Sequence, residues 1–298
     1  MKTKMIGLFA ETSIHAGAGS STGIIDLPIM RESHTNYPCI FGSAFKGALR
    51  SKAEESWTQA DQKDQIQNIF GSEASESDAW AGAIMVSDAR LLWLPVRSLN
   101  GHFKLVTCPY ILQRWQRDSL RLGENAPALP SEISKMAVDE NQTCYIPQES
   151  KKCIYLEEFQ YSPKTLSQSD ELLQALQAFV PEGYNIADKL CIVSDEQFAH
   201  LATIATAVTP HIAIEDEKKT VKKGALWYEE TLPADTLFYS IVGTEAVRKP
   251  SANQTAEEVW DAIQQIFKDA PYLQIGGGET VGMGWVQLTA INTEEAQA

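Results

Sequence analysis

Asp26 stands in the run GIIDLPIMRE, toward the far end of a Gly- and Ser-rich stretch that begins at His15. A carboxylate on a loop displayed from a rigid sheet can bind a divalent metal ion, or orient a reacting hydroxyl and take its proton. Pro28 restricts the backbone of Leu27 and so helps to hold Asp26 in place. Spacing alone also suits a turn or capping aspartate, the commoner use of such a residue. His15 is a secondary candidate, because a single histidine more often makes a structural hydrogen bond. Glu229 and Glu230 offer a second carboxylate, although adjacent glutamates are usually just exposed.

Two further segments have binding chemistry. The run IGGGETVGMGWV carries Gly276, Gly277, Gly278, Gly282 and Gly284. Glycines permit close backbone approach and leave amides free to cradle phosphate. A dinucleotide fingerprint would follow a strand and open a helix. Here the glycines follow a helix and run into a strand, and the Walker lysine is missing, so both nucleotide-site readings are rejected. A bulged hairpin without function remains the alternative. Lys218, Lys219, Lys222 and Lys223 form a basic cluster, with Trp227 and Tyr228 close behind. Cations beside aromatics suit a nucleic-acid strand. Glu215, Asp216 and Glu217 dilute that field, and the alternative, a solvated loop with the aromatics in the core, fits Trp227 and Tyr228 better than it fits the lysines. No Ser-His-Asp order, HExxH or GxSxG motif occurs.

The elements that must position these residues are short. Met5 to Ala10 reads as a strand, and the segment from His15 to Pro38 holds too many glycines and prolines for regular structure. Ser43 is expected to cap a helix with Phe45, Ala48 and Leu49 on its apolar face. The same helix sets Lys46 and Arg50 side by side. A loop is expected from Ser72 to Asp78, then a strand continuing past a turn in GAIMVSDARLLWLPV. Helices are expected over 109–122, over 195–208 with Asp195 as cap, and over 255–268 with Val259, Ile263, Ile266 and Phe267 along one side. Alternating apolar residues around a charged middle, from Thr209 onward, predict strands about a long projecting hairpin. A polar tail, NTEEAQA, ends the chain. Short strands interleaved with two or three helices indicate an α+β sheet protein, with no tandem repeat and no convincing linker.

The bulk composition sets limits. A chain of 298 residues, 44% hydrophobic, can bury a sizeable core as one large domain or a domain with big insertions. With 25 Lys plus Arg against 39 Asp plus Glu, the formal charge is −14. A free-standing nucleic-acid binder usually carries a basic excess, so RNA binding would have to rest on local basic patches. Five cysteines without a CxxC pair suit a reduced, intracellular protein. No signal peptide and no membrane span is apparent, and the expected location is the cytoplasm.

Four segments occur in a telling order: ETSIHAGAGSSTGIIDLPIMRE, YPCIFGSAFKGALR, GALWYEETLPADTLFYSIV and QIGGGETVGMGWV. Together they resemble the backbone subunit of type III-B CRISPR (Cmr) effector complexes, within the RAMP superfamily of CRISPR RNA-binding proteins. The resemblance spans nearly the whole chain, although 123–190 carries no matching motif. It implies a single RAMP domain over 1–298 with a modified RRM-like (ferredoxin-like) core, an insertion at roughly 123–190 and a projecting thumb hairpin at roughly 209–230. Implied partners are the CRISPR guide RNA, complementary target RNA, further copies in a helical filament and other Cmr subunits, with no membrane. The implied activity is endoribonucleolytic cutting of target RNA at regular intervals within the assembled complex, with a divalent metal (Mg or Mn) as cofactor.

In the family's GxIDLPI-type motif the cutting residue matches Asp26, also the candidate metal ligand. Lys46 and Arg50 match the GSxxKGALR helix that should face the guide, and the glycines from Gly276 to Gly284 would let the backbone approach phosphate. RNA carries its own nucleophile, the 2′-hydroxyl, so a splayed nucleotide gains most from positioning. The rival readings are a binding-only RAMP scaffold, a metabolic enzyme using the glycine loop, and a self-assembling structural protein.

Overall fold

The computed structural model describes residues 1–72, 79–124, 126–136, 142–249 and 251–291. Apart from Ser72, the loop expected over 72–78 lies outside the described residues, as does the polar tail 292–298. β1 (Lys2–Ala10) leads into the irregular segment 11–38, the short β2 (Cys39–Ile40), and helices α1 (Gly42–Ser56) and α2 (Ala60–Phe70). β3 (Ile84–Val86), β4 (Ala89–Ser98) and β5 (His102–Thr107) precede α3 (Pro109–Arg121). Next come α4 (Ser131–Lys135), β6 (Thr143–Ile146), β7 (Ile154–Leu156), β8 (Phe159–Thr165), α5 (Ser169–Gln177), β9 (Leu190–Ile192) and α6 (Asp195–Ile204). β10 (Ala207–Ile214) and β11 (Val221–Thr231) form a hairpin, and β12 (Leu237–Thr244), α7 (Ala256–Phe267), β13 (Tyr272–Gln274) and β14 (Trp285–Thr289) complete the order.

Among the described residues twelve strands join one mixed, mostly antiparallel sheet in the order β13-β14-β1-β12-β4-β5-β9-β6-β8-β7, with β2 on β4 and β3 on β12. Its centre runs β14-β1-β12-β4, every neighbour antiparallel. In sequence α1 falls between β1 and β4, and α7 between β12 and β14. β1 is buried from Met5 onward, and β4 along almost its whole length. Such continuous apolar strands need cover on both faces. Lys4 lies over the ring of Trp260 on α7, whereas the next residue, Met5, accepts a hydrogen bond from Ser119 on α3. Successive side chains point to opposite faces, so α7 and α3 cover opposite sides of the sheet.

The helices follow their sequence cues with three corrections. Thr255 caps α7 through a reciprocal pair with Glu258, and Val259, Trp260, Ile263 and Phe267 are its buried residues. Ser43 does not cap α1: Phe41 occupies the cap position without a side-chain bond. The orphan Gly42 N–H is taken instead by the carboxylate of Asp88, 2.7 Å away. Asp195 is likewise not the cap of α6. Ser194 is, accepting from Gln197 N–H, and Asp195 receives the Tyr110 N–H instead. That helix ends at Ile204, because β10 begins at Ala207. The unassigned stretch 123–190 holds α4, β6, β7, β8, α5 and the start of β9, and these strands lengthen the sheet beyond β5. All five cysteines are free thiols. No helix among the described residues is long and apolar enough to cross a membrane.

Candidate functional site

The segment around Asp26 folds back on itself. Ala18 N–H donates to the Pro28 carbonyl at 2.9 Å, and Met30 N–H to that of Ala16 at 2.7 Å. Both arms are stitched to β11 and to Leu232 just beyond its end. Ile14 exchanges bonds of 2.9 and 2.8 Å with Leu232, while Leu27 N–H donates to Tyr228 and Glu230 N–H to Leu27, both at 3.0 Å. Asp26 is half-buried at the inner end of this fold, and its Oδ2 accepts the Tyr228 N–H at 2.8 Å. The outer tip is exposed, Ile24 to 93%. The anchor of Asp26 is therefore a main-chain donor on β11 in addition to the stiffness of Leu27-Pro28.

His15 is buried, with Nδ1 2.8 Å from the Glu230 carbonyl. A carbonyl only accepts, so Nδ1 carries the proton, and in the neutral ring Nε2 is then the acceptor. Glu229 lies between two histidines: Oε1 is 3.5 Å from His15 Nδ1, and Oε2 is 3.1 Å from His211 Nε2. The His211 ring stacks on Trp227 at 5.4 Å. Sequence reasoning missed His211. The signal was its place opposite Trp227 across the hairpin, which needs the register of β10 on β11. Glu230, only 3% exposed, has both oxygens engaged: Oε1 accepts from Arg31 at 2.6 Å and Thr206 at 2.7 Å, and Oε2 from Ile29 N–H at 3.1 Å. It clamps the Asp26 segment to the core, so the adjacent glutamates have different positions and partners.

The glycine turn packs against the start of the same segment. Gly277 N–H donates to the His15 carbonyl at 2.9 Å. Gly276, at φ +88°, approaches so closely that a Cβ there would sit 2.3 Å from that carbonyl oxygen. Gly282 also has positive φ, +80°, but faces open space. Gly276→Ala should therefore cost about 2–3 kcal/mol, whereas Gly282→Ala should cost about 1 kcal/mol, the left-handed strain alone. Thermal melts of the two variants check this; equal losses would show that the packing against His15 is slack. Gly278 and Gly284 are also constrained by their own chain, against Met283 and the Ile275 carbonyl.

The Asp26 segment, the start of α1 and the glycine turn meet around a cavity of about 460 Å³, lined by His15, Gly17, Leu27, Phe41, Ser43 and Gly276 among others. Three of the four matched segments thus share one wall-to-wall space, and the fourth supplies β11 beside it. Lys46 and Arg50 are not at this cavity. The α1 face turned to the glycine turn carries Ala44, Gly47, Ala48 and Ser51, while Lys46 reaches the Ile84 carbonyl and Arg50 pairs with Glu54 and the Gly71 carbonyl. Burial first, then the nearby Arg50 and Arg248, lowers the pKa of the Lys46 ammonium. Lys218, Lys219, Lys222 and Lys223 sit at the exposed outer end of the hairpin. From Lys223 to Tyr228, five strand residues span roughly 17 Å, so the lysines stand well away from the Asp26 carboxylate. Lys218 and Lys219 lie 3.9 and 4.0 Å from Glu215 and Asp216.

Among the described residues no group of three or more His, Cys, Asp or Glu converges to hold a metal ion. Asp26 brings one carboxylate, with one oxygen already accepting from Tyr228. A resident divalent ion normally takes several oxygen ligands. The protein side chains alone do not fit such a site.

A sequence model of the RAMP superfamily matches residues 9–287. The chain belongs to the RAMP superfamily. The RAMP protein named CRISPR system Cmr endoribonuclease Cmr4, from Pyrococcus furiosus, is 36% identical over 97% of this chain and 96% of its own length. The crystal structure of oligomeric Cmr4 from Pyrococcus furiosus superposes with a TM-score of 0.67 at 28% identity, covering 97% of both chains. A chain of the type III-B Cmr-beta complex, solved by cryo-electron microscopy in its apo state, gives a TM-score of 0.74 at 25% identity and 96% coverage of both. This RAMP chain is therefore similar to Cmr4 over 97% of its length.

Proposed function

We propose that this RAMP protein is a repeated backbone subunit of a cytoplasmic type III-B effector, which binds CRISPR guide RNA and cuts complementary target RNA with Asp26. The observation that carries this reading is the meeting of the Asp26 segment, the α1 start and the glycine turn around one cavity. Its relatives, one named an endoribonuclease and one crystallised as an oligomer, support the activity and the self-assembly. The central order β14-β1-β12-β4, with α1 and α7 as the two crossing helices, is read as the RRM-like core. On that reading the chain is one domain, with 123–190 as an insertion in it and the β10–β11 hairpin as the thumb. The hairpin's exposed Ile212, Ile214, Leu226 and Tyr228 suit a wedge against stacked bases, with Lys218, Lys219, Lys222 and Lys223 at its end meeting phosphate.

The chemistry needs little from the protein beyond position. With its nucleotide splayed out, the 2′-oxygen lies in line with the adjacent phosphorus and the 5′-oxygen. Asp26 takes the 2′-hydroxyl proton, the 2′-oxygen bonds to phosphorus, and the bond to the 5′-oxygen breaks as that oxygen takes a proton from water. The Tyr228 N–H fixes the carboxylate for this step. Lys46 and Arg50 would bind guide phosphates along a separate stripe of α1. A divalent ion, if required, would be carried mainly by RNA phosphate oxygens, with Asp26 as a protein ligand.

Co-expression with a guide RNA tests the RNA-binding half. Purified protein should carry nucleic acid, read as an absorbance ratio at 260 to 280 nm well above that of protein alone and as extractable RNA of uniform length. A protein-only spectrum from cells making the guide would refute it and favour a small-molecule enzyme.

A further inference from the structure

Only eight arginines occur in this acidic chain, and five of them line one cavity of about 520 Å³: Arg31, Arg90, Arg114, Arg117 and Arg121. Three come from α3 at the spacing i, i+3, i+7, which places them on one face of the helix. Arg90 comes from β4, and Arg31 from the segment that carries Asp26.

The cavity's own acids leave it short of negative charge. Glu32 accepts twice from Arg114 Nη1, at 2.7 and 2.8 Å, but Arg114 Nε and Nη2 are buried with no acceptor. Asp118, buried beside the cavity, is occupied by Arg90 at 2.6 Å, with Arg121 3.5 Å away, and Asp88 accepts the Gly42 N–H with one oxygen and keeps its single charge against five arginines. Arg117 is exposed and makes no ion pair among the described residues. Arg31 is paired with Glu230 at 2.6 Å, so the unmet charge lies on Arg117 and on the open side of Arg121. A buried guanidinium lacking acceptors beside that charge favours an oxyanion, since charge-assisted bonds to such groups are the strong ones.

Aromatic groups surround this charge. Arg114 lies over the Tyr110 ring at 5.4 Å, and the Tyr110 hydroxyl is 3.3 Å from His34 Nε2. Phe41, 41% exposed, lines both this cavity and the apolar one beside His15. It forms the partition between them. Phosphate on a guanidinium cluster with a base on a neighbouring ring is how proteins hold single strands. An acidic protein segment would use the cations but not the partition.

We propose that the arginine cavity holds a phosphodiester of the RNA strand that passes the start of α1, with Phe41 as the stacking platform between the two cavities. This rests on the RNA-binding reading above.

The test uses the full chain assembled with its guide, alone and with complementary target, and measures RNA affinity over a series of salt concentrations. Arg117→Ala with Arg121→Ala should weaken binding about tenfold and reduce the slope of log affinity against log salt by about 0.7 for each phosphate no longer neutralised. Arg97→Ala, an exposed arginine elsewhere on β4, should change neither. Ultraviolet crosslinking should join the RNA to Phe41. A loss with guide alone assigns the phosphate to the guide, and a loss only with the duplex assigns it to the target; either supports the proposal. Wild-type affinity and slope in the double variant would overturn it, and if Lys46→Ala weakened binding in the same assay, the RNA-binding reading would stand without it. Unchanged RNA affinity with lost self-association would assign the cavity to a neighbour's carboxylates instead. Failure of the unmodified chain to bind guide would remove both claims together.

Discussion

Asp26→Asn should abolish target-RNA cutting by the assembled complex while leaving RNA binding intact. Asparagine keeps an oxygen that can accept the Tyr228 N–H, so the segment should keep its place. What disappears is the negative charge and the capacity to take a proton. Removing a positioned acid–base group lowers rate by about 10²–10⁴-fold, and an assay with labelled target reads that range easily. His15→Ala should cost less, because its Nδ1 is committed to a carbonyl. Regularly spaced cutting at an unchanged rate in Asp26→Asn would end the assignment of Asp26 and favour a binding-only scaffold, with the nuclease elsewhere in the complex.

The largest stability loss is expected from Glu230→Ala. The change leaves the Thr206 hydroxyl and the Ile29 N–H without their buried acceptor and removes the anionic partner of the part-buried Arg31 guanidinium. Removing one member of a buried ion pair costs about 3–5 kcal/mol, which lowers the melting temperature by roughly 10 °C in a domain of this size. Arg31 keeps carbonyl acceptors at Asn36 and Ala202, which argues for the lower end of that range. Glu230→Gln should lose less, since the amide oxygen can still accept. A melting temperature within about 2 °C of the parent would mean that water reaches the site. Glu229→Ala is the contrast: its partners are two histidines, one of them on the hairpin surface, and it should melt nearly as the parent does.

The two glutamates also show what a sequence does and does not disclose. Side by side in β11 they looked interchangeable, because neither the β11 register nor the return of residues 27–29 alongside it is written in local pattern. The helix over 255–268 was legible because its cap and apolar stripe are local. α1 was legible in its apolar face but not its start, because the partner of Gly42 lies on the far side of α2, at Asp88. The hairpin was legible from alternating residues around a charged middle. The stretch 123–190 was not, because its strands are short and find partners only through the extended sheet. Asp26 is singled out by four ordered motifs, not by its own surroundings. Its true restraint, an amide some two hundred residues later, has no signature in the motif that contains it.

That restraint has a consequence for how the protein can change. The donor that holds Asp26 belongs to the peptide unit at position 228, and every residue type except proline supplies one. The bonds at Leu27 and Met30 are also between peptide units. With the Glu230 clamp in place, the aim of the carboxylate is thus insulated from drift in the other side chains around it. Tyr228 and the exposed tip can be exchanged to suit a different neighbour or nucleic acid without turning the carboxylate away, while a single proline at 228 would release it.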